Sequence, residues 1–120
     1  QPGKGIVFID HASMDVYKLA GGVEGAVTVG DDTTAVAGDI LYRFGIPVLG
    51  IIDGDGDGII GRSKFYPGSA VFLVKADDII GVKVFKELFN QKVKSALSFA
   101  EMKGDLGCLI ANNALSRTDY

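Results

Sequence analysis

Three Asp-bearing turns, each directly after an apolar run, carry the residues of this chain best suited to chemistry. They read Ile9-Asp10-His11, then Val29-Gly30-Asp31-Asp32-Thr33-Thr34, then Ile52-Asp53-Gly54-Asp55-Gly56-Asp57-Gly58. If the runs are strands of a parallel α/β sheet, the turns share its C-terminal edge, where such sheets bind ligands. That edge would gather six aspartates and no nearby lysine. Carboxylates crowded at one place repel one another, and a divalent cation relieves the repulsion.

The third turn is the sharpest. An Asp-x-Asp pair beyond a buried strand suits Mg²⁺ that keeps several of its waters, so Asp53, Asp55 and Asp57 are the metal candidates. Their spacing, followed by Gly58 and by Ile60 at the eighth position, also matches the start of an EF-hand-type Ca²⁺ loop. The twelfth position holds Lys64 instead of a bidentate Glu, and a strand precedes the loop where a helix is expected. The competing structural reading is a surface turn whose Asp-Gly pairs serve backbone geometry.

The second turn joins a strand to a helix start, where orphan N–H groups and the helix dipole favour an anion. Gly30, Asp31, Asp32, Thr33 and Thr34 are therefore the phosphate candidates. Gly30 lets a phosphate approach the backbone, and the threonines add hydroxyl donors. Asp31 and Asp32 would repel a bare phosphate, which again implies a bridging Mg²⁺. Helix capping by Asp32 or Thr33 is the alternative. In the first turn Asp10 could bridge the metal, and His11, the sole histidine, has a type suited to proton transfer. Both are catalytic candidates; against that stands a His11 that merely caps or packs.

These turns need strands and helices to hold them. Gly5 to Ile9, Gly25 to Val29 and Val48 to Ile52 read as buried strands. A short helix is expected over residues 13–20, stopped by Gly21-Gly22. A second helix places Val36, Ala37, Ile40, Leu41 and Phe44 on one stripe and ends at Gly45. Residues 58–69 read as a loop or hairpin turning at Pro67-Gly68, followed by a strand from Ala70 to Lys75. Asp77-Asp78 cap a helix to about Phe89, with Ile79, Ile80, Val84, Leu88 and Phe89 available for burial. A further amphipathic helix is expected from Val93 to Met102, broken by Gly104, then a short helix from Leu106 to Leu115 and a frayed end. Cys108 is expected to pack as a small buried side chain.

Composition bounds the class. At 120 residues, with 48% hydrophobic and 22% charged side chains, the chain can build one globular core. A single cysteine allows no intrachain disulfide, which favours a reducing cytoplasm. No apolar run reaches the roughly 20 residues of a membrane helix, and no signal-peptide pattern opens the chain. The start at Gln1 suggests a domain excised from a longer protein. Net charge is −3, but residues 1–61 carry three basic against nine acidic groups and residues 62–120 nine against six. A cationic half beside an acidic cluster could steer a phosphorylated ligand or nucleic acid; ordinary solvated lysines are the plainer account.

The whole chain, above all Val29 to Thr34, Gly38-Asp39-Ile40-Leu41-Tyr42-Arg43-Phe44-Gly45-Ile46-Pro47 and Ile52 to Asp55, resembles an uncharacterised domain of archaeal, chiefly methanogen, hypothetical proteins. That resemblance implies fold and source and no activity. Residues 5–61 also resemble a Toprim domain, the Mg²⁺-binding module of topoisomerases and primases, at Asp10, Asp53, Asp55 and Gly58. Toprim has Glu where this chain has Asp10, and a helix where residues 59–69 suggest none. Gly30-Asp31-Asp32-Thr33, Gly45-Ile46-Pro47-Val48-Leu49-Gly50 and Ile52-Asp53 resemble the phosphate-binding stretch of phosphofructokinases. Both local likenesses are read as shared geometry of βα turns.

The expectation is a single three-layer α/β domain, Rossmann-like or Toprim-like, with a mostly parallel sheet and C-terminal helices. Its expected function is Mg²⁺-dependent (less favourably Ca²⁺-dependent) binding of a phosphorylated small molecule or nucleotide at the C-terminal sheet edge. The alternative is a non-catalytic ligand-binding or regulatory domain of a larger archaeal protein, with structural Asp-Gly turns or a passive calcium site. The late amphipathic helices could supply a homo-oligomer surface.

Overall fold

The four apolar runs form adjacent strands, β1 (Ile6–Asp10), β2 (Gly25–Val29), β3 (Val48–Ile52) and β4 (Ala70–Val74). The computed structural model describes residues 5–10, 23–53, 64–75, 77–91, 94–95, 97–111 and 114–120. Each successive pair is parallel, with Phe8 beside Val27, Val27 beside Leu49 and Ile51 beside Phe72. Every residue of β2 and β3 is buried, as their near-continuous apolar sequence requires of strands covered on both faces.

The strand period of two divides the core. Ile6, Phe8, Val27, Val29, Leu49, Ile51 and Phe72 face one way, and Val7, Ile9, Ala26, Val48, Ile52 and Val71 the other. Helix α1 (Asp31–Arg43) covers the second face with Ala37 and Leu41. Helices α2 (Asp77–Glu87) and α3 (Phe99–Ile110) cover the first with Ile80, Val84, Met102, Leu106 and Ile110. Two antiparallel strands close the edges: β5 (Lys94–Ser95) beside β1, and β6 (Ala114–Asp119) beside β4. The six-stranded order is β5-β1-β2-β3-β4-β6. The fold is thus the expected three-layer, mostly parallel α/β arrangement. Its parallel strands lie in chain order, without the reversal of a Rossmann sheet.

Several elements depart from expectation. Ile40 is half-buried on α1, but Val36 is 43% and Phe44 54% exposed; the inward face rotates toward Thr34, Ala37 and Leu41, with Gly38 packed closely against Phe65. On α2, Ile80 and Val84 are buried while Ile79 points outward at 69% exposure. No helix spans Val93 to Met102. The chain forms β5 there, and α3 starts only at Phe99 because Ser98 builds a reciprocal cap with Glu101: the Glu101 N–H donates to Ser98 Oγ at 3.2 Å and the Ser98 N–H donates to Glu101 Oε1 at 3.1 Å. Glu24 adds an acceptor for the Phe99 N–H, tying α3 to the start of β2. Gly104 lies inside α3 instead of ending it, and Cys108 is exposed on that helix, not buried. Of the helix expected from Leu106 to Leu115, Leu106 to Ile110 are helical as the last part of α3, while Ala114 onward and the expected frayed tail form β6, whose end is pinned by Gly68 N–H to Tyr120 C=O and Tyr120 N–H to Ser69 C=O, both 2.9 Å. The Pro67-Gly68 turn forms as expected, with Gly68 at φ 99°. The helix expected over residues 13–20 lies outside the described residues, as do residues 58–63 of the expected loop.

The Ser98 cap carries a measurable load. Ser98→Ala should lower unfolding stability by about 1 kcal/mol, seen as a reduced urea midpoint with an unchanged slope.

Candidate functional site

Parallel pairing puts the ends of β1 to β4 at one edge. Asp10 stands beside Val29, Val29 beside Ile51, and Ile52 beside Leu73. The three Asp turns therefore leave from neighbouring strands in a common direction.

Two of the turns are stitched together. The Gly30 N–H donates to the Ile51 carbonyl at 2.9 Å, extending the β2–β3 ladder into the second turn. The Asp53 N–H donates to Asp31 Oδ1 at 3.2 Å. Asp31, the first residue of α1, is thus held against the first residue after β3; both are half-buried. Helix α1 begins earlier than the Asp32 or Thr33 cap predicts. Gly30 itself is the cap residue, at φ 105° and ψ 146°, and no side chain caps the helix. That conformation is open almost solely to glycine, so Gly30 makes the abrupt passage from strand to helix possible. The first intrahelical bond runs from the Thr34 N–H to the Gly30 carbonyl at 2.9 Å.

The threonines are placed differently from the phosphate cradle the sequence suggests. Thr33 and Thr34 are buried, 4% and 0% exposed. Thr34 Oγ1 lies 2.8 Å from Thr28 Oγ1, inside the helix–sheet interface. Gly50 makes this possible: a Cβ there would stand 2.5 Å from Thr34 Cγ2. The Thr28–Thr34 pair therefore fixes the first turn of α1 on the sheet, and the anion-attracting groups left at the edge are backbone N–H groups of that turn.

The fourth strand brings residues the sequence reading did not assign to the edge. Lys75 follows β4 and is exposed, and Asp77 and Asp78 open α2 at the same end of the sheet. The edge thus has a lysine, contrary to the expected purely acidic composition. The signal was available: a strand from Ala70 must end beside the others once it is parallel. The chain leaves β2 for one face, through α1, and β4 for the opposite face, through α2. Asp53 follows the strand between them.

Of the residues singled out in sequence, Asp10 ends β1, Gly30, Asp31, Asp32, Thr33 and Thr34 make the β2–α1 passage, and Asp53 follows β3. His11, Asp55 and Asp57 lie outside the described residues. Among the described residues, no three His, Cys, Asp or Glu side chains come together as a metal cluster, and no helix is long and apolar enough to cross a membrane.

Residues 1–92 match the archaeal family described as "Uncharacterized protein conserved in archaea (DUF2117)", and the chain is a member of it. It is 44% identical over 91 residues to an uncharacterized protein of Methanocaldococcus jannaschii, a match that takes in 72% of this chain and 25% of that protein. The chain thus spans about a quarter of the length of the curated relative it matches. No solved structure matches it.

The threonine pair gives a sharp test of how α1 is anchored. Thr34→Val should cost about 1–3 kcal/mol, because the Thr28 hydroxyl is left buried without its partner. The double substitution Thr28→Val with Thr34→Val should recover most of that loss in a denaturant double-mutant cycle.

Proposed function

We propose that the domain binds a phosphorylated small molecule or nucleotide through a divalent cation at the C-terminal edge of the sheet, with Mg²⁺ preferred over Ca²⁺. The observation that carries this reading is the Asp53 N–H to Asp31 Oδ1 bond, which fixes two carboxylate residues from different turns side by side. Carboxylate oxygens are the hard donors that Mg²⁺ and Ca²⁺ take. The sequence continues with Asp55 and Asp57, so the third turn can add further donors of the same type. The N-terminal turn of α1 lies beside Asp53 and favours negative charge, which suits a phosphate bridged by the cation. Lys75, at the end of the next strand, supplies a positive charge at that edge. Asp10 and His11 remain the candidates for proton transfer, should the ligand react.

A second reading is a non-catalytic ligand-binding or regulatory domain of a larger archaeal protein, with the Asp-Gly turns structural or holding calcium passively. It is favoured by the match to only 25% of the Methanocaldococcus jannaschii protein, which leaves most of that protein to other segments.

Isothermal titration with MgCl₂, CaCl₂, ATP and inorganic phosphate separates the two. Mg²⁺-dependent ATP or phosphate binding is expected, weakened about tenfold or more (~1.4 kcal/mol) by Asp53→Asn. The backbone bond to Asp31 is made by the Asp53 N–H and survives that substitution; a urea melt of the variant confirms that it is folded. Heat changes at dilution background for all four titrants, with Asp53→Asn as stable as wild type, would leave the second reading.

A further inference from the structure

β6 is an edge strand of six residues, ending the sheet beyond β4. The Tyr120 N–H and carbonyl are turned toward the β4 side, bonding Ser69 and Gly68. Strand alternation then turns the backbone groups of Thr118 inward and those of Arg117 and Asp119 outward. The register of Asp119 beside Ala70 and Arg117 beside Phe72 holds over this stretch; the irregularity lies further up, between Leu73 and Val74. Arg117 and Asp119 therefore present a short, regular row of backbone donors and acceptors that no strand among the described residues covers, the kind of edge that accepts another strand.

The side chains choose the partner. The Arg117 guanidinium lies over the Phe72 ring at 5.2 Å, and its Nη2 is 3.0 Å from Asp119 Oδ1. Arg117 and Asp119 thus share the sheet face covered by α3. A second copy can pair antiparallel with β6 about a two-fold axis normal to the sheet, and opposed residues must then share a face. Centred on Thr118, such pairing sets Arg117 opposite the second copy's Asp119, and Asp119 opposite its Arg117. The outward groups of those residues make four backbone hydrogen bonds, and each charge faces its opposite. Centred on Arg117, the pairing would set two arginines against each other, which is unfavourable. The neighbouring helix α3 sets Lys103 beside this edge, its Nζ donating to the Gly68 carbonyl at 2.9 Å and lying 3.8 Å from Asp119 Oδ1; the other residues there are small. Ala100, Gly104, Gly107 and Ala111 share the flank of α3 on the β6 side by helical spacing, and a Cβ on Gly107 would stand 3.7 Å from Arg117 Nη1.

We propose that β6 is a self-association edge: two copies of this chain join their sheets antiparallel through Arg117 and Asp119, in the register centred on Thr118. The late part of the chain is then a dimer surface through its strand, where the sequence had pointed to helices.

Sedimentation equilibrium of the 120-residue chain over a concentration series tests this, with circular dichroism melting to confirm that each variant folds. A dimer is expected. Arg117→Asp, which sets like charges opposite, should raise its dissociation constant about tenfold or more, and the swap Arg117→Asp with Asp119→Arg should restore it. Arg117→Pro removes an outward donor without touching the β4 ladder and should also give monomer. A wild-type chain that stays monomeric throughout, or a dimer indifferent to Arg117→Asp and Arg117→Pro, would overturn the proposal.

Discussion

The structure depends on burial of its central strands from both sides. β2 and β3 expose no residue, so neither face can be left to water. Removing about 25 cal/mol per Å² of apolar surface from solvent is the main favourable term available. It is realised only when a helix layer covers each face. That requirement sends α1 to one side and α2 with α3 to the other. It also makes the strands parallel, because a helix returning across the sheet delivers the chain to the same starting edge. The gathering of polar turns at the opposite edge is a by-product of this packing. Function can be built there at little cost to the core, since the exits lie beyond the last buried residues.

How much was legible follows from the same physics. The three first strands were readable because two-sided burial leaves an unbroken apolar run, as in Val48-Leu49-Gly50-Ile51-Ile52. Helix α2 and the Pro67-Gly68 turn were readable from their start and turn residues. The last third was not. β6 reads Ala-Leu-Ser-Arg-Thr-Asp, and its side chains from Leu115 onward are exposed. An edge strand held by backbone bonds on one side needs no apolar pattern, so none marks it. The start of α3 did carry a signal, the Ser98-x-x-Glu101 capping box. Apolar periodicity across Val93 to Met102 competed with that signal and misled. Gly104 illustrates the limit of reading glycine as a stop: it is exposed within α3, where its cost of about 1 kcal/mol relative to alanine is tolerated by a helix already anchored at Met102, Leu106 and Ile110.

In the candidate site the residue types were legible and their orientation was not. Spacing placed Asp31 and Asp53 at one edge, but only the fold brings one to bond the other's N–H. Thr33 and Thr34 looked like donors to a ligand because a helix start is rich in such residues. Which way a side chain points there depends on the angle at which the helix leaves the strand. Gly30 sets that angle with its φ of 105°, and Gly50 opens the space that draws Thr34 inward. Lys75 was missed for a topological reason, since its place at the edge follows from β4 being parallel to β3.

The segment beyond the family match has a structural task of its own. Residues 1–92 supply the four parallel strands with α1 and α2. Among the described residues, the elements that close the sheet come later: β5 on one edge, β6 on the other, and α3 across the face carrying Phe8, Leu49 and Phe72. Without Met102, Leu106 and Ile110 that face would rest on α2 alone, and Phe72 would lose part of its cover. An uncovered apolar face of this kind is not stable in water. Any member of the family that keeps the buried sheet must therefore place some element on that face, from its own later sequence or from another chain. The obligation is to shape and apolarity, not to particular residues, so more than one covering sequence can meet it.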